Sequence, residues 1–168
     1  MNYIARGSSK SESYEYGKSI STYMAFLIGQ MANHGATVCG WNSVNTQMRC
    51  VFARQAIPMT WDYAESNPFC SSSGSFNNLY VRLVKGFETL GNGISGIATQ
   101  DDASTQTISK KKVISTDPPY YDNIEYADLS DFFYLWMRKS LKSKYPQVFK
   151  TISAPKEEEL VANPYRHN

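Results

Sequence analysis

The sequence predicts an α/β domain with a helix-rich first half, and three observations carry that prediction. Apolar residues recur at helical spacing in three separated stretches, Tyr16 to Met31, Phe76 to Leu90 and Leu129 to Leu141. Two shorter segments, one from Ile94 and one from Val113, have strand-like composition and stop at acidic residues, Asp101-Asp102 and Asp117. The 168 residues, 42% hydrophobic and 19% charged, are enough for one core and too few for two domains. The expected organisation is a helical segment over 14–91 followed by a strand, motif and helix over 92–168.

Residues 1–13 are polar and without period, so they are expected to form a flexible lead. In the first helix Ile20, Tyr23, Met24, Leu27, Ile28 and Met31 share one face, and Gly35 lies where a left-handed cap would stop it. That Met and aromatic stripe is better read as core than as a cofactor box, because a helix of this length must bury one face. A second helix is expected from an N-cap at Ser43 through Val44, Met48, Val51 and Phe52 to just before Pro58. From Trp61 to Gly74 large aromatics alternate with turn formers, the composition of an ordered loop. Trp61, Tyr63 and Phe69 there either fill a satellite core, the preferred reading, or stack on bases.

The third helix, Phe76 to Leu90, carries Leu79, Tyr80, Leu83, Val84 and Phe87 on one face and can close at Gly91. Gly91, Gly93 and Gly96 formally match a dinucleotide-binding fingerprint, but a helix precedes them where a strand should, so that reading is rejected. Ile94 to Ala103 reads as a strand ending in paired acids, either a solvated turn or a carboxylate poised for a cofactor's amine or hydroxyls. Lys110-Lys111-Lys112 is better read as a soluble strand edge than as a phosphate clamp. After the motif, the last helix takes Asp128 or Ser130 as N-cap, has Lys139, Lys142 and Lys144 suited to its C-terminal dipole, and ends by Pro146. Arg138 and these lysines are read as a solvated face rather than as contacts to DNA phosphates.

Val113-Ile-Ser-Thr-Asp-Pro-Pro-Tyr120 is the stretch with chemistry in it. Two successive prolines end a strand, since neither donates to a ladder and each fixes its own φ. The resulting rigid turn presents a carboxylate, proline carbonyls and an aromatic ring together. Asp117 can accept from one hydrogen of a planar exocyclic amine, a proline carbonyl from the other, and the Tyr120 ring can stack on the base that carries it. Drawn toward tetrahedral geometry in this way, the amine's lone pair becomes available for attack. Two other readings compete: a proline-rich ligand of the Pro-Pro-x-Tyr kind, disfavoured between a strand and a helix, and a structural turn capped by Asp117.

The Asp117-Pro-Pro-Tyr120 motif resembles that of amino-methyltransferases that use S-adenosylmethionine. With Arg54 to Phe69, Tyr121 to Arg138 and Leu160 to His167, it is similar to the large prokaryotic adenine-specific DNA methylases that also carry a zinc ribbon. The resemblance runs from about Tyr14 onward. It implies a partial Rossmann-like methyltransferase fold, Asp117, Pro118, Pro119 and Tyr120 as catalytic residues, S-adenosylmethionine as cofactor and an adenine in DNA as target. It also implies a cofactor contact at the acid after the third strand, matched by Asp102-Ala103, although Asp101 stands where the family has glycine. The family's glycine-rich cofactor loop has no counterpart in a strand-glycine-helix context. The chain is therefore expected to be a piece of such an enzyme, completed by its remainder or by a partner chain and inactive alone. The alternatives are a non-catalytic, truncated or partner-dependent nucleic-acid-binding domain, and an RNA adenine methyltransferase.

A formal charge of +2 does not by itself argue for nucleic acid. The three cysteines, Cys39, Cys50 and Cys70, lack metal-ligand spacing, and only His34 and His167 could join them, so no metal site is expected. No basic-then-apolar leader and no apolar run of membrane-spanning length occurs, which makes the cytoplasm the expected compartment.

Overall fold

The computed structural model describes residues 9–91, 93 and 96–166. Its elements are α1 (Lys10–Gly35), a hairpin of β1 (Trp41–Asn42) and β2 (Gln47–Met48), α2 (Phe76–Thr89) and α3 (Tyr126–Leu141). The architecture is mostly helical: α1 packs against both α3 and α2, and the hairpin is a two-stranded antiparallel sheet.

α1 begins six residues before the expected start because Ser9 and Glu12 form a reciprocal capping box, Ser9 Oγ accepting from the Glu12 N–H and Glu12 Oε2 from the Ser9 N–H. Residues 10–13, expected in the flexible lead, are thus helical, and 1–8 lie outside the described residues. At the other end Gly35 is the last helical residue and Ala36 turns extended at φ −76°, so the left-handed glycine cap expected there does not form. Among the described residues the glycine that takes a positive φ, +89°, is Gly74, just before the Ser75 cap of α2. α2 matches its expected span, with Ser75 Oγ accepting from the Asn78 N–H and the Phe87 ring edge-on to Tyr23 of α1 at 4.5 Å.

The helix expected from Ser43 is replaced by the hairpin. Asn42 Oδ1 accepts from the N–H groups of Val44 and Asn45 (3.1 and 3.4 Å), and Thr46 sits at φ +48°. An asparagine that bonds the backbone two residues on competes directly with helix, and here it turns the chain so that Trp41 pairs with Met48. The segment returns to α1 through Val51, fully buried, whose N–H donates to the Asn33 carbonyl at 3.0 Å. Phe52 then inserts against Phe132 and Phe133 of α3, with ring centroids at 5.9 and 5.6 Å.

The core lies where α1 meets α3: Ala25, Leu141 and Phe149 are buried together, flanked by Tyr134, Met137 and Tyr145. Gly29 faces α3 without being forced by it, since a Cβ there would meet the Phe133 ring at 3.9 Å, an ordinary van der Waals contact. Past Leu141 the chain continues in turns rather than stopping sharply, with Tyr145 and Phe149 N–H groups bonded to the Leu141 and Tyr145 carbonyls, so Phe149 swings back under α3.

Neither expected strand forms. The described part of the first, 96–103, and all of Val113 to Thr116 have no ladder partners, and Ala103 lies in a turn; Ile94 and Ser95 lie outside the described residues. The reason is physical: β-branched residues favour a pleated surface only when a neighbour supplies the pairing and the burial. Here Val113 is fully exposed and Ile114 is mostly so. The accessible surface of 13887 Å² is far above the roughly 8,400 Å² that a compact chain of this mass exposes, and this unpacked stretch contributes to the excess.

Candidate functional site

The two prolines each fix their own φ, and Tyr121 then takes φ +54°, a left-handed conformation costly for an aromatic residue. Three backbone bonds hold it there. The Tyr121 N–H donates to the Pro119 carbonyl (3.0 Å), the Asn123 N–H to Tyr120 (3.1 Å), and the Ala162 N–H, from the far end of the chain, to the Tyr121 carbonyl (3.2 Å). The first two are local and the third is tertiary, so the strained turn is fixed in part from outside the motif.

That last bond brings Leu160 to Asn163 alongside the motif. Between them is an open groove of about 410 Å³, lined by Asp117, Pro118, Pro119 and Tyr120 on one side, Glu159, Leu160 and Val161 on the other, and Tyr126 at the head of α3. Val161 is buried and gives the groove an apolar floor, while Asp117 and Tyr120 are exposed at its rim. Among the described residues the Asp117 carboxylate has no hydrogen-bond partner, nor does the Pro118 carbonyl have a backbone one. The motif therefore keeps a free carboxylate, a free carbonyl and an exposed ring, whereas the Pro119 carbonyl is already engaged.

The opposite wall is fastened to α3 by side chains. α3 starts at Tyr126 with Glu125 as a cap whose side chain accepts from no N–H of the helix, and neither Asp128 nor Ser130, expected as caps, holds that position; both lie inside the helix. The missing acceptor comes from the C-terminal segment: Glu159 Oε1 accepts from the Ala127 N–H at 2.8 Å. A carboxylate at a helix N-terminus is favoured by the dipole and satisfies an orphan donor. Glu159 Oε2 accepts from Arg166 at 3.5 Å, and Arg166 also pairs with Asp128. Buried Asn163 donates through Nδ2 to Glu125 Oε1 at 2.6 Å, and Lys156 pairs with Asp131 at 2.6 Å. Glu159, Asn163 and Arg166 are the residues that local sequence reasoning did not single out, since their partners lie more than thirty residues away or across a turn.

Asp102 sits apart from the motif, on the edge of a second groove of about 950 Å³ that shares Glu159, Leu160 and Val161 with the first. Its carboxylate is already used. Oδ1 accepts from the Ser104 N–H and hydroxyl (2.8 and 2.7 Å) and Oδ2 from the Thr105 hydroxyl (3.1 Å), and the Ser104 hydroxyl bond above all holds the carboxyl below its ordinary pKa. The Asp-x-Ser-Thr spacing signals this self-capping turn and favours the solvated-turn reading of the sequence. Gly91, Gly93 and Gly96 have open space where a Cβ would go, and the next helix after them is α3.

The loop aromatics expected in a satellite core are instead exposed, Trp61 and Phe69 almost fully. Among the described residues no group of three or more His, Cys, Asp or Glu is placed to hold a metal ion, and no helix is long and apolar enough to cross a membrane. No family model, no curated protein and no solved structure matches the chain.

Proposed function

We propose that the chain carries the target-amine half of an S-adenosylmethionine-dependent methyltransferase acting on the exocyclic amine of adenine in DNA. The observation that carries this reading is the free Asp117 carboxylate held beside the free Pro118 carbonyl and the exposed Tyr120 ring, at the rim of an apolar-floored groove. Asp117 accepts from one amine hydrogen. Of the two proline carbonyls, Pro118 takes the other, because Pro119 is committed to Tyr121. Tyr120 stacks on a base turned out of its duplex. The chain's own share is to bind and orient the amine; effective positioning of this kind is worth several orders of magnitude in rate. The methyl donor is held by a further part of the enzyme, with the remaining strands of a Rossmann-like sheet, or by a partner chain.

A second reading is a non-catalytic, partner-dependent nucleic-acid-binding domain, and the self-capped Asp102 favours it. One assay separates the two. The complete gene product is incubated with tritiated S-adenosylmethionine and DNA or RNA, and the labelled nucleoside is identified. Label on N6 of deoxyadenosine supports the enzyme; label on adenosine in RNA alone moves the substrate; no transfer to either, with binding retained, leaves the binding domain.

A further inference from the structure

The groove beside Asp117 has a second aromatic wall that the motif does not supply. Tyr126, the first residue of α3, lines it together with Tyr120, and both rings are substantially exposed, at 45% and 65%. They come from different elements, the strained turn and the helix N-terminus, and the two elements are locked to each other by the C-terminal segment. That segment bonds the turn through the Ala162 N–H and the helix through Glu159 and Asn163. Glu159, the other carboxylate in the lining, has both oxygens engaged, to Ala127 and to Arg166, which leaves Asp117 as the free acid there. The groove thus offers two phenol rings, an apolar floor at Leu160 and Val161, and one unpartnered carboxylate at its rim.

We infer that Tyr126 is a substrate-binding residue, forming with Tyr120 a pair of aromatic surfaces for one extrahelical, amine-bearing base. The inference rests on the proposed amine-binding role of the same groove and adds its substrate form. A groove that takes a base against two rings accepts it from single-stranded or distorted nucleic acid in preference to an intact duplex, where both faces of the base are already stacked. The role falls to the Tyr126 ring and not to its hydroxyl.

The test is fluorescence titration of the 168-residue chain with single-stranded oligonucleotides containing one 2-aminopurine, and with the same strand in a duplex. The wild-type protein is expected to quench the probe and to bind the single strand more tightly than the duplex. Tyr126→Ala and Tyr120→Ala should each weaken binding roughly five- to 150-fold, the range for loss of one base stack. Tyr126→Phe should retain it, and Trp61→Ala, which is not among the groove's lining residues, should leave quenching intact. Because Tyr126 opens α3, circular dichroism melting of each variant separates lost binding from lost helix. Tyr126→Ala binding like wild type while Tyr120→Ala is impaired overturns the inference and leaves the amine-orienting reading standing. Binding without quenching, no binding, or a Phe variant as weak as the Ala variant also overturns it. Quenching with the expected losses, but no methyl transfer by the complete enzyme, upholds the paired rings and removes the proposed activity.

Discussion

The segment after α3 and the segment before it are both irregular, yet they behave in opposite ways. Residues 145–166 return along α3 and are tied to it by a buried Phe149, a buried Asn163, and ion pairs from Lys156 and Arg166. Residues 96–117 have strand-forming side chains and no such ties, and their bonds are turns within the segment, such as Gln106 to Asp102 and Lys112 to Ser109. The difference teaches where rigidity at the motif comes from. Asp117 to Tyr121 lies at the junction of the two and is fixed from the C-terminal side, through the Ala162 bond to Tyr121, while its N-terminal side is left open.

The largest contrast should appear between chemistry and stability at one residue. Asp117 is exposed and without a partner among the described residues, so Asp117→Ala should change the folding free energy by less than about 0.5 kcal/mol. In the complete enzyme it should abolish methyl transfer while S-adenosylmethionine binding stays within a few-fold. An activity loss matched by an equal loss of cofactor affinity would remove Asp117 from the amine. Next comes packing. Leu141, 2% exposed between Ala25 and Phe149, should cost roughly 2–5 kcal/mol as Leu141→Ala, whereas Val113→Ala should be nearly silent. Urea denaturation of the two variants compares the tied and untied segments directly, and a comparable loss at Val113 would mean that residues 113–117 are packed after all.

How much of this was legible follows from how local each interaction is. The three helices show in the sequence because 3.6-residue spacing is a local property, and α2 is found within a residue of its end. The hairpin was legible in principle through Asn42 and Thr46, but the apolar spacing of Val44, Met48 and Val51 outweighed the turn signal. The expected strands are absent among the described residues for a different reason. Val113 and Ile114 have the composition of a strand, but pairing depends on a neighbour, and propensity cannot supply one. At the site, the Asp-Pro-Pro-Tyr turn could be read from its residues, while its opposite wall could not, because the bonds from Glu159 to Ala127 and from Asn163 to Glu125 span 32 and 38 residues.

A smaller effect should come from that wall. Asn163 is 4% exposed, donates to Glu125 and accepts from the Tyr165 N–H at 2.8 Å. Asn163→Ala should cost roughly 1–3 kcal/mol, toward the lower end because Glu125 is exposed and can turn to water. It should also loosen the Ala162 bond and so weaken oligonucleotide binding without touching the bound base. Intact binding in a destabilised Asn163→Ala protein would show that the turn holds its shape without the C-terminal segment.

The smallest expected effect is acid sensitivity from the Asp131 cluster. Burial pushes the Asp131 carboxyl up, but the bonds from Lys156 Nζ and the Ala154 N–H, with the charges of Lys156 and Arg166, outweigh it and hold the pKa below its usual value. A carboxyl depressed in the folded state contributes stability at pH values above its unfolded pKa, near 4, and loses it as the pH falls through the folded value. Both partners are partly exposed, so the contribution should be about 1 kcal/mol or less. Urea midpoints measured from pH 6 down to pH 2.5 should fall more steeply for wild type than for Asp131→Asn, with the two curves converging at the acid end. Parallel curves would place the attachment of residues 154–156 in the Ala154 backbone bond, which an asparagine oxygen can still accept, and remove the charge of Lys156 from what fastens the groove's second wall to α3.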